Sequence, residues 1–268
     1  MRQISVLWVY SLFCLYAGKG IIFVMGAWDK CDVLRKPACT KENETEKKME
    51  VYIMDYVTLN NGIHMPILGY GVYQVTNDEC ERCVLDALAL GYRSIDTAQS
   101  YFNEEQVGSA IQKSGINREN IFLTTKVWIE NYGYAEAKAS VLESMRKLQT
   151  DYLDLCLLHQ PFADTFGAYR ALEDLYDEGK LRAIGISNFS SDRMVDIASF
   201  SRIKPMVNQV ETHPLNQQIE AKKWMDKYAV QIEAWAPFGE GRGNMFSHPT
   251  IKSIADVHGK TVAQVILR

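Results

Sequence analysis

The chain has 268 residues, 47% of them hydrophobic, and a formal net charge of −4. That size and apolar share support one large domain with a sizeable core, and the lack of a basic excess argues against nucleic acid as a partner. The six cysteines include Cys80-Glu81-Arg82-Cys83 but no second pair and no histidine cluster, so no metal is expected and the thiols are read as reduced and structural.

Residues 1–53 stand apart from the rest as a separate N-terminal extension. Apolar stretches at residues 4–17 and 21–28 flank Gly18-Lys19-Gly20, and a Lys/Glu-rich tract with the sequon Asn43-Glu44-Thr45 follows. Neither stretch reaches the roughly 20 residues that span a bilayer, although the two combined could. A charged start before an apolar run fits a signal peptide, yet Tyr16-Ala17-Gly18 is a poor cleavage site. The preferred reading is a leader or disordered linker ahead of a functional start at Met54, in a cytoplasmic protein. A membrane anchor or secretion is the rival, with membrane contact only if the apolar segment is retained.

From residue 54 onward the pattern changes to strands and helices. Residues 56–65 alternate around Asn61-Gly62, which predicts a hairpin. Thr76-Asn77-Asp78-Glu79 reads as a capping box opening a helix with Cys83, Leu85, Leu88 and Leu90, which Gly91 closes. Val141, Leu142, Met145 and Leu148 form one helical stripe, and Phe166, Tyr169, Leu172 and Leu175 another, ending at Gly179. Strands are predicted at residues 92–95, 121–125, 153–158, 181–189, 206–210 and 230–235, giving six strand-and-helix units, with a last helix at residues 261–268.

Asp96, Tyr101, Lys126 and His159 each stand at or just past the end of such a run. Several in succession suggest parallel strands whose carboxyl ends converge on one site, as in barrels of alternating strands and helices. Singly, each has an ordinary structural explanation: a turn cap, a packed ring, a solvated lysine, a satisfied core histidine. Together, in the order in which they stand, they resemble the carbonyl-reducing site of the aldo-keto reductase family. Negative charge grows on the carbonyl oxygen and calls for a proton, and a tyrosine with an unperturbed pKa of about 10 is a reluctant donor. Lys126 beside Tyr101 would lower that pKa, Asp96 would hold the ammonium, and His159 would polarise the carbonyl.

These residues and their neighbours resemble the aldo-keto reductase family. Gly91-Tyr92-Arg93-Ser94-Ile95-Asp96-Thr97-Ala98 with Tyr101, Asn103-Glu104 and Val107-Gly108 looks like the family's first signature, and Gly179-Lys180 with Gly185-Ile186-Ser187-Asn188-Phe189 like its second. Thr125-Lys126-Val127-Trp128, Leu158-His159-Gln160-Pro161 and Val207-Asn208-Gln209-Val210-Glu211 also match in order. Leu68-Gly69-Tyr70-Gly71-Val72-Tyr73 and Ala234-Trp235-Ala236-Pro237-Phe238-Gly239 are closest to bacterial members of the 2,5-diketo-D-gluconate reductase type.

The resemblance implies an α/β fold, a (β/α)8 TIM barrel preceded by a hairpin, in residues 54–268. It implies a monomer that reduces a small aldehyde or ketone with NADPH, NADH remaining open. Ser187, Asn188 and Gln209 would hold the nicotinamide carboxamide, Trp235 would stack on the ring, and Ala236, Phe238 and Gly239 would complete the cofactor site. Tyr73, Trp128, Gln160 and Phe162 would line the substrate pocket. Gln160 replaces a tryptophan often found in relatives, which favours a small oxygenated substrate such as a sugar derivative or keto acid over a steroid. Residues 239–244 form a glycine-rich loop whose Arg242 could reach a pyrophosphate, although a plain solvent loop explains it as well.

The family pattern would continue for two more strands beyond Arg268, so an incomplete barrel with two open edges is expected here. Two other readings are carried: a truncated non-catalytic relative, and an aldolase using Lys126 as a Schiff-base nucleophile.

Overall fold

The computed structural model describes residues 22–26 and 54–268. The apolar stretch at residues 4–17, the sequon at Asn43 and the polar tract around it lie outside the described residues. Strand β1 is Ile22–Gly26, and β2 (Tyr56–Thr58) and β3 (His64–Pro66) form the hairpin. Then follow β4 (Leu68–Gly71), α1 (Asn77–Ala89), β5 (Ser94–Asp96), α2 (Glu104–Lys113), β6 (Phe122–Val127), α3 (Tyr134–Lys147) and β7 (Leu155–Leu158). The chain continues through α4 (Thr165–Asp177), β8 (Ile184–Ser187), α5 (Ser191–Phe200), β9 (Val207–Glu211), α6 (Ile219–Tyr228), β10 (Gln231–Trp235), α7 (Pro249–His258) and α8 (Val262–Leu267).

The strands close a barrel in the order β1-β10-β9-β8-β7-β6-β5-β4. Residues 68–235 contribute seven of these strands, one more than the predicted six, because Leu68–Gly71 is the first barrel strand. The expectation of a barrel short of two strands is corrected in the same way. One place is left after β10, and β1 fills it, parallel to both neighbours, with Val24 opposite Gly69 on β4 and Trp235 on β10. No ladder edge between β4 and β10 is left open, which removes the aggregation hazard that an unpaired edge presents. This strand comes from the stretch that composition set apart as an extension.

Local chemistry explains most element boundaries. The helix-starting position at Thr76 is where it was expected, but its hydroxyl donates to the Glu79 carboxylate at 3.1 Å, so the capping box does not form. Such a box does form at α8, where Thr261 and Gln264 exchange bonds. On α3, Val141 and Met145 are buried while Leu142 is 44% exposed, so the core stripe is narrower than the sequence suggested. Gly185 is required by packing: a Cβ there would lie 2.5 Å from the Val207 carbonyl and 2.8 Å from Leu157.

The hairpin closes the end of the barrel where the strands begin. Its Asn60 donates to the carbonyls of Pro205 and Ala229, and Asn61 to that of Arg182, just ahead of β9, β10 and β8. Leu59 and Met65 are buried behind it. The opposite end is left for loops, while α7 and α8 pack a small separate cluster of Met245, Ile251 and Ile266 with Phe238 at its border. Cys80 and Cys156 are buried free thiols, whereas Cys83 is disulfide-bonded, contrary to the all-reduced expectation. Among the described residues no helix is long and apolar enough to cross a membrane.

Candidate active site at the carboxyl ends of the strands

In-register parallel pairing of β5 with β6 brings Asp96 beside the strand that carries Lys126. Lys126 is fully buried, and its Nζ donates to Asp96 Oδ1, to the Thr97 carbonyl at 3.0 Å and to Tyr101 Oη at 3.5 Å. Tyr101 reaches this position from a short 3₁₀ turn, Gln99–Tyr101, directly after β5. His159 follows β7, is 8% exposed, and lies with its ring centroid 5.7 Å from that of Tyr101. The four residues expected to act together are thus brought together.

Their charge states follow from burial and from one another. Burial alone would push the Lys126 ammonium down, but Asp96 and the other groups around it reverse that and hold it at about 12, firmly charged. For Tyr101 the balance differs from the simple expectation. Desolvation raises the phenol further than Lys126 lowers it, so the hydroxyl stays protonated. Burial, with Lys126 nearby, pulls His159 down to about 3, leaving a neutral imidazole.

The residues expected to meet a cofactor cluster on the next three strands. Ser187 Oγ donates to the Gln209 carbonyl at 2.9 Å, and Asn188 Nδ2 donates to the His159 carbonyl at 3.0 Å and to Ser187 Oγ at 3.2 Å. Trp235 Nε1 donates to Asn188 Oδ1 at 2.8 Å, which fixes the indole edge. Asn188 (φ 66°) and Ala236 (φ 49°) adopt left-handed backbone where their strands turn into loops, a conformation Asn tolerates better than Ala. Gln209 Nε2 donates to Asp96 Oδ2 at 3.0 Å, tying this cluster to the lysine pair.

Around the mouth, Tyr73 lies 5.0 Å from the Tyr101 ring and Trp128 5.1 Å from that of His159, centroid to centroid. Phe162 is 60% exposed and Gln160 is half-buried, its backbone bonded in both directions to the Tyr132 hydroxyl. The glycine-rich loop is a kinked run of 3₁₀ turns, Gly239–Ser247. Its Arg242 is paired with Glu240 at 2.8 Å, and Gly239 packs over Met245. A shallow depression lined by Glu119, Asp151, Tyr152, Gly179 and Arg182 lies at the other end of the barrel, away from all these residues.

Several supporting residues have roles that only the structure displays. Gln99 accepts from the Trp128 amide at 2.8 Å and from Asn131 at 2.9 Å, and so anchors the loop after β6. Asn103 donates to the carbonyls of Val72 and Val75, and Glu104 is buried, accepting from Thr125 at 2.7 Å. Glu233 is fully buried on β10. A carboxylate inside an apolar run was the one available signal for it.

Residues 67–268 match the aldo/keto reductase family. The glyoxal reductase of Bacillus subtilis strain 168 is 46% identical over 222 residues, covering 82% of this chain and 80% of its own. Among solved structures, an aldo/keto reductase from Brucella melitensis superposes with a TM-score of 0.77 at 45% identity, over 80% of this chain and 83% of that one. A Bombyx mori aldo-keto reductase solved in complex with NADP gives 0.76 at 31% identity, over 80% and 78%. Likeness on this scale, running through the strands that bear Asp96, Lys126, His159 and Ser187, makes the chain a member of the aldo-keto reductase family and an oxidoreductase.

Proposed function

We propose that the protein uses NADPH to reduce a small, oxygen-rich aldehyde or ketone to the alcohol, with Tyr101 as the proton donor. The observation that carries this reading is one buried ammonium, Lys126, in contact with both Asp96 and the Tyr101 hydroxyl. Protonated before the reaction, Tyr101 is loaded as an acid. As negative charge develops on the carbonyl oxygen, the phenol gives up its proton and Lys126 stabilises the phenolate, a transfer worth about 10²–10⁴-fold when the acid is well placed. Asp96 keeps the ammonium charged and aimed. The neutral imidazole of His159 serves as a hydrogen-bond donor to the same oxygen, which orients the substrate without competing as the acid.

The donor set on β8, β9 and β10 fits a nicotinamide carboxamide: a hydroxyl, Ser187, and two amides, Asn188 and Gln209, beside an indole held by its edge. A dihydronicotinamide bound there would supply the hydride. Ser187, Asn188 and Gln209 fix the orientation of its ring, Trp235 offers the flat apolar face that keeps water away, and Ala236, Phe238 and Gly239 flank it. NADP in the Bombyx mori relative supports the phosphorylated cofactor. The name of the Bacillus subtilis relative supports a small dicarbonyl such as glyoxal as substrate, with Tyr73, Trp128, Gln160 and Phe162 as the walls around it. A Schiff-base role for Lys126 is disfavoured, because imine formation needs a neutral amine and this one stays charged to about 12.

The test is oxidation of NADPH by the full chain with glyoxal, methylglyoxal and short keto acids, followed by absorbance, together with quenching of tryptophan fluorescence by the cofactor. Turnover that is abolished in Tyr101→Phe, with quenching retained, is the expected result. No turnover and no quenching would leave the non-catalytic reading standing.

A further inference from the structure

Glu233 is a buried acid that the proposed chemistry does not use. It is 0% exposed, and among the described residues neither carboxylate oxygen has a hydrogen-bond partner. Its register partner on β9 is Gln209. That side chain faces it without completing a hydrogen bond of normal geometry, and gives its amide nitrogen to Asp96 instead. Among the described residues, the charged groups facing Glu233 are Asp96 from β5 and Lys126 from β6. On the other side, β1 contributes residues 22–26, none of which has an ionisable side chain. Two carboxyl groups therefore face one ammonium in a closed barrel. A carboxyl left without donors is most stable there as the neutral acid.

We infer that Glu233 is a positioning residue for the reaction: by remaining protonated it leaves Asp96 as the only anion on Lys126, so that the ammonium's field stays directed at Tyr101. The inference rests on the carbonyl reductase reading above. Were Glu233 to ionise, the lysine would be shared between two carboxylates, and a second negative charge would oppose the tyrosinate that proton donation creates. The acid catalyst would weaken while the fold stayed in place. Burial first, and then the charge of Asp96, push this carboxyl up to about 8, with Lys126 pulling the other way.

The experiment is the pH profile of kcat/KM for carbonyl reduction by the full-length wild type, Glu233→Gln and Glu233→Leu, with infrared titration of the wild type alongside. In the wild type the rate is expected to fall as pH rises through about 8, by on the order of three- to tenfold, a part of what a placed acid supplies. Glu233→Gln, neutral at every pH, should match the wild type in neutral solution and lack that step. The infrared spectrum should show the C=O stretch of a protonated carboxyl free of hydrogen bonds, distinct from Glu104 with its Thr125 donor, and this band should disappear over the same range. If Glu233→Gln does not fold, Glu233→Leu, which removes the charge into an apolar side chain, serves in its place. A step that survives in the neutral variants, or a carboxylate already ionised in neutral solution, overturns the inference alone. Absence of turnover in the wild type removes the reductase reading and this inference with it.

Discussion

Asp154 and Asp96 are buried carboxylates at opposite ends of the same barrel, and the chain surrounds them differently. Asp154, just ahead of β7, is 1% exposed and takes Arg118 on one oxygen and Arg182 on the other, each at 2.7 Å, together with the Leu123 amide at 3.0 Å. The other donors of Arg118 are spent on Thr150, Ile121 and Tyr152, and its guanidinium lies 4.2 Å from the centre of the Tyr152 ring. Asp96, at the end of β5, takes one lysine and one amide. That lysine also touches a phenol and faces Glu233, which has no hydrogen-bond partner among the described residues. One cluster is closed and can only hold structure. The other retains groups able to change charge, which chemistry requires and stability does not.

If that contrast is right, damage at the two ends should appear in different measurements. Tyr101→Phe should lower kcat by on the order of 10³-fold. Because only a hydroxyl in loose contact is removed, unfolding in denaturant should shift by less than about 0.5 kcal/mol. A stability loss comparable to the rate loss would make Tyr101 a structural residue. Asp154→Ala should do the reverse. It strands Arg118, whose side chain is 19% exposed, beside an empty site, and removing one member of a buried ion pair costs about 3–5 kcal/mol. Per folded molecule, its kcat should stay within about twofold, as expected for sites far apart. A kcat that fell with stability would show that the two ends are coupled.

A lesion between the ends sharpens the comparison. Val24 on β1 pairs with Gly69 on one side and Trp235 on the other. Val24→Pro removes a ladder donor and should cost about 1–3 kcal/mol. Since Trp235 and Glu233 lie on the strand that β1 supports, cofactor quenching should weaken too. An unchanged midpoint would mean that β1 is not holding the barrel shut in solution.

The same contrast separates what the sequence disclosed from what it concealed. Asp96, Lys126 and His159 were legible because each interrupts or ends an apolar run, and parallel strands of similar length must bring such ends together. The hairpin was legible from Asn61-Gly62. Leu68–Gly71 was not recognised as a strand because two of its four residues are glycines, which lack the β-branched signature. β1 was concealed for a different reason. Its partners are Leu68–Gly71 and residues 233–235, the latter some two hundred positions away, and no local pattern encodes such a pairing. A five-residue apolar run near a chain start reads equally well as part of a leader. The role of Gln99 and the bond from Gln209 to Asp96 were similarly hidden, since a side-chain amide discloses nothing until its partner is in view.

One further measurement distinguishes the buried groups by sign. His159 is held at about 3, below the ordinary histidine value near 6.5. Between those values the unfolded chain binds a proton that the folded one does not, so stability is full above about 6.5 and is lost as pH falls towards 3. Glu233, held up at about 8, acts oppositely. The folded chain keeps a proton that the unfolded one releases above the ordinary carboxyl value of about 4.3, so its contribution fades as pH rises to about 8. Between about 4.3 and 6.5 the two slopes oppose each other, so His159→Gln should flatten a plot of Tm against pH below that range and Glu233→Gln above it, each leaving the far limb unchanged. Asp154→Ala should lower the whole curve without removing either slope. If His159→Gln instead altered the alkaline limb, the imidazole would be titrating with the lysine cluster as one unit, and its part as a neutral hydrogen-bond donor would have to be given up.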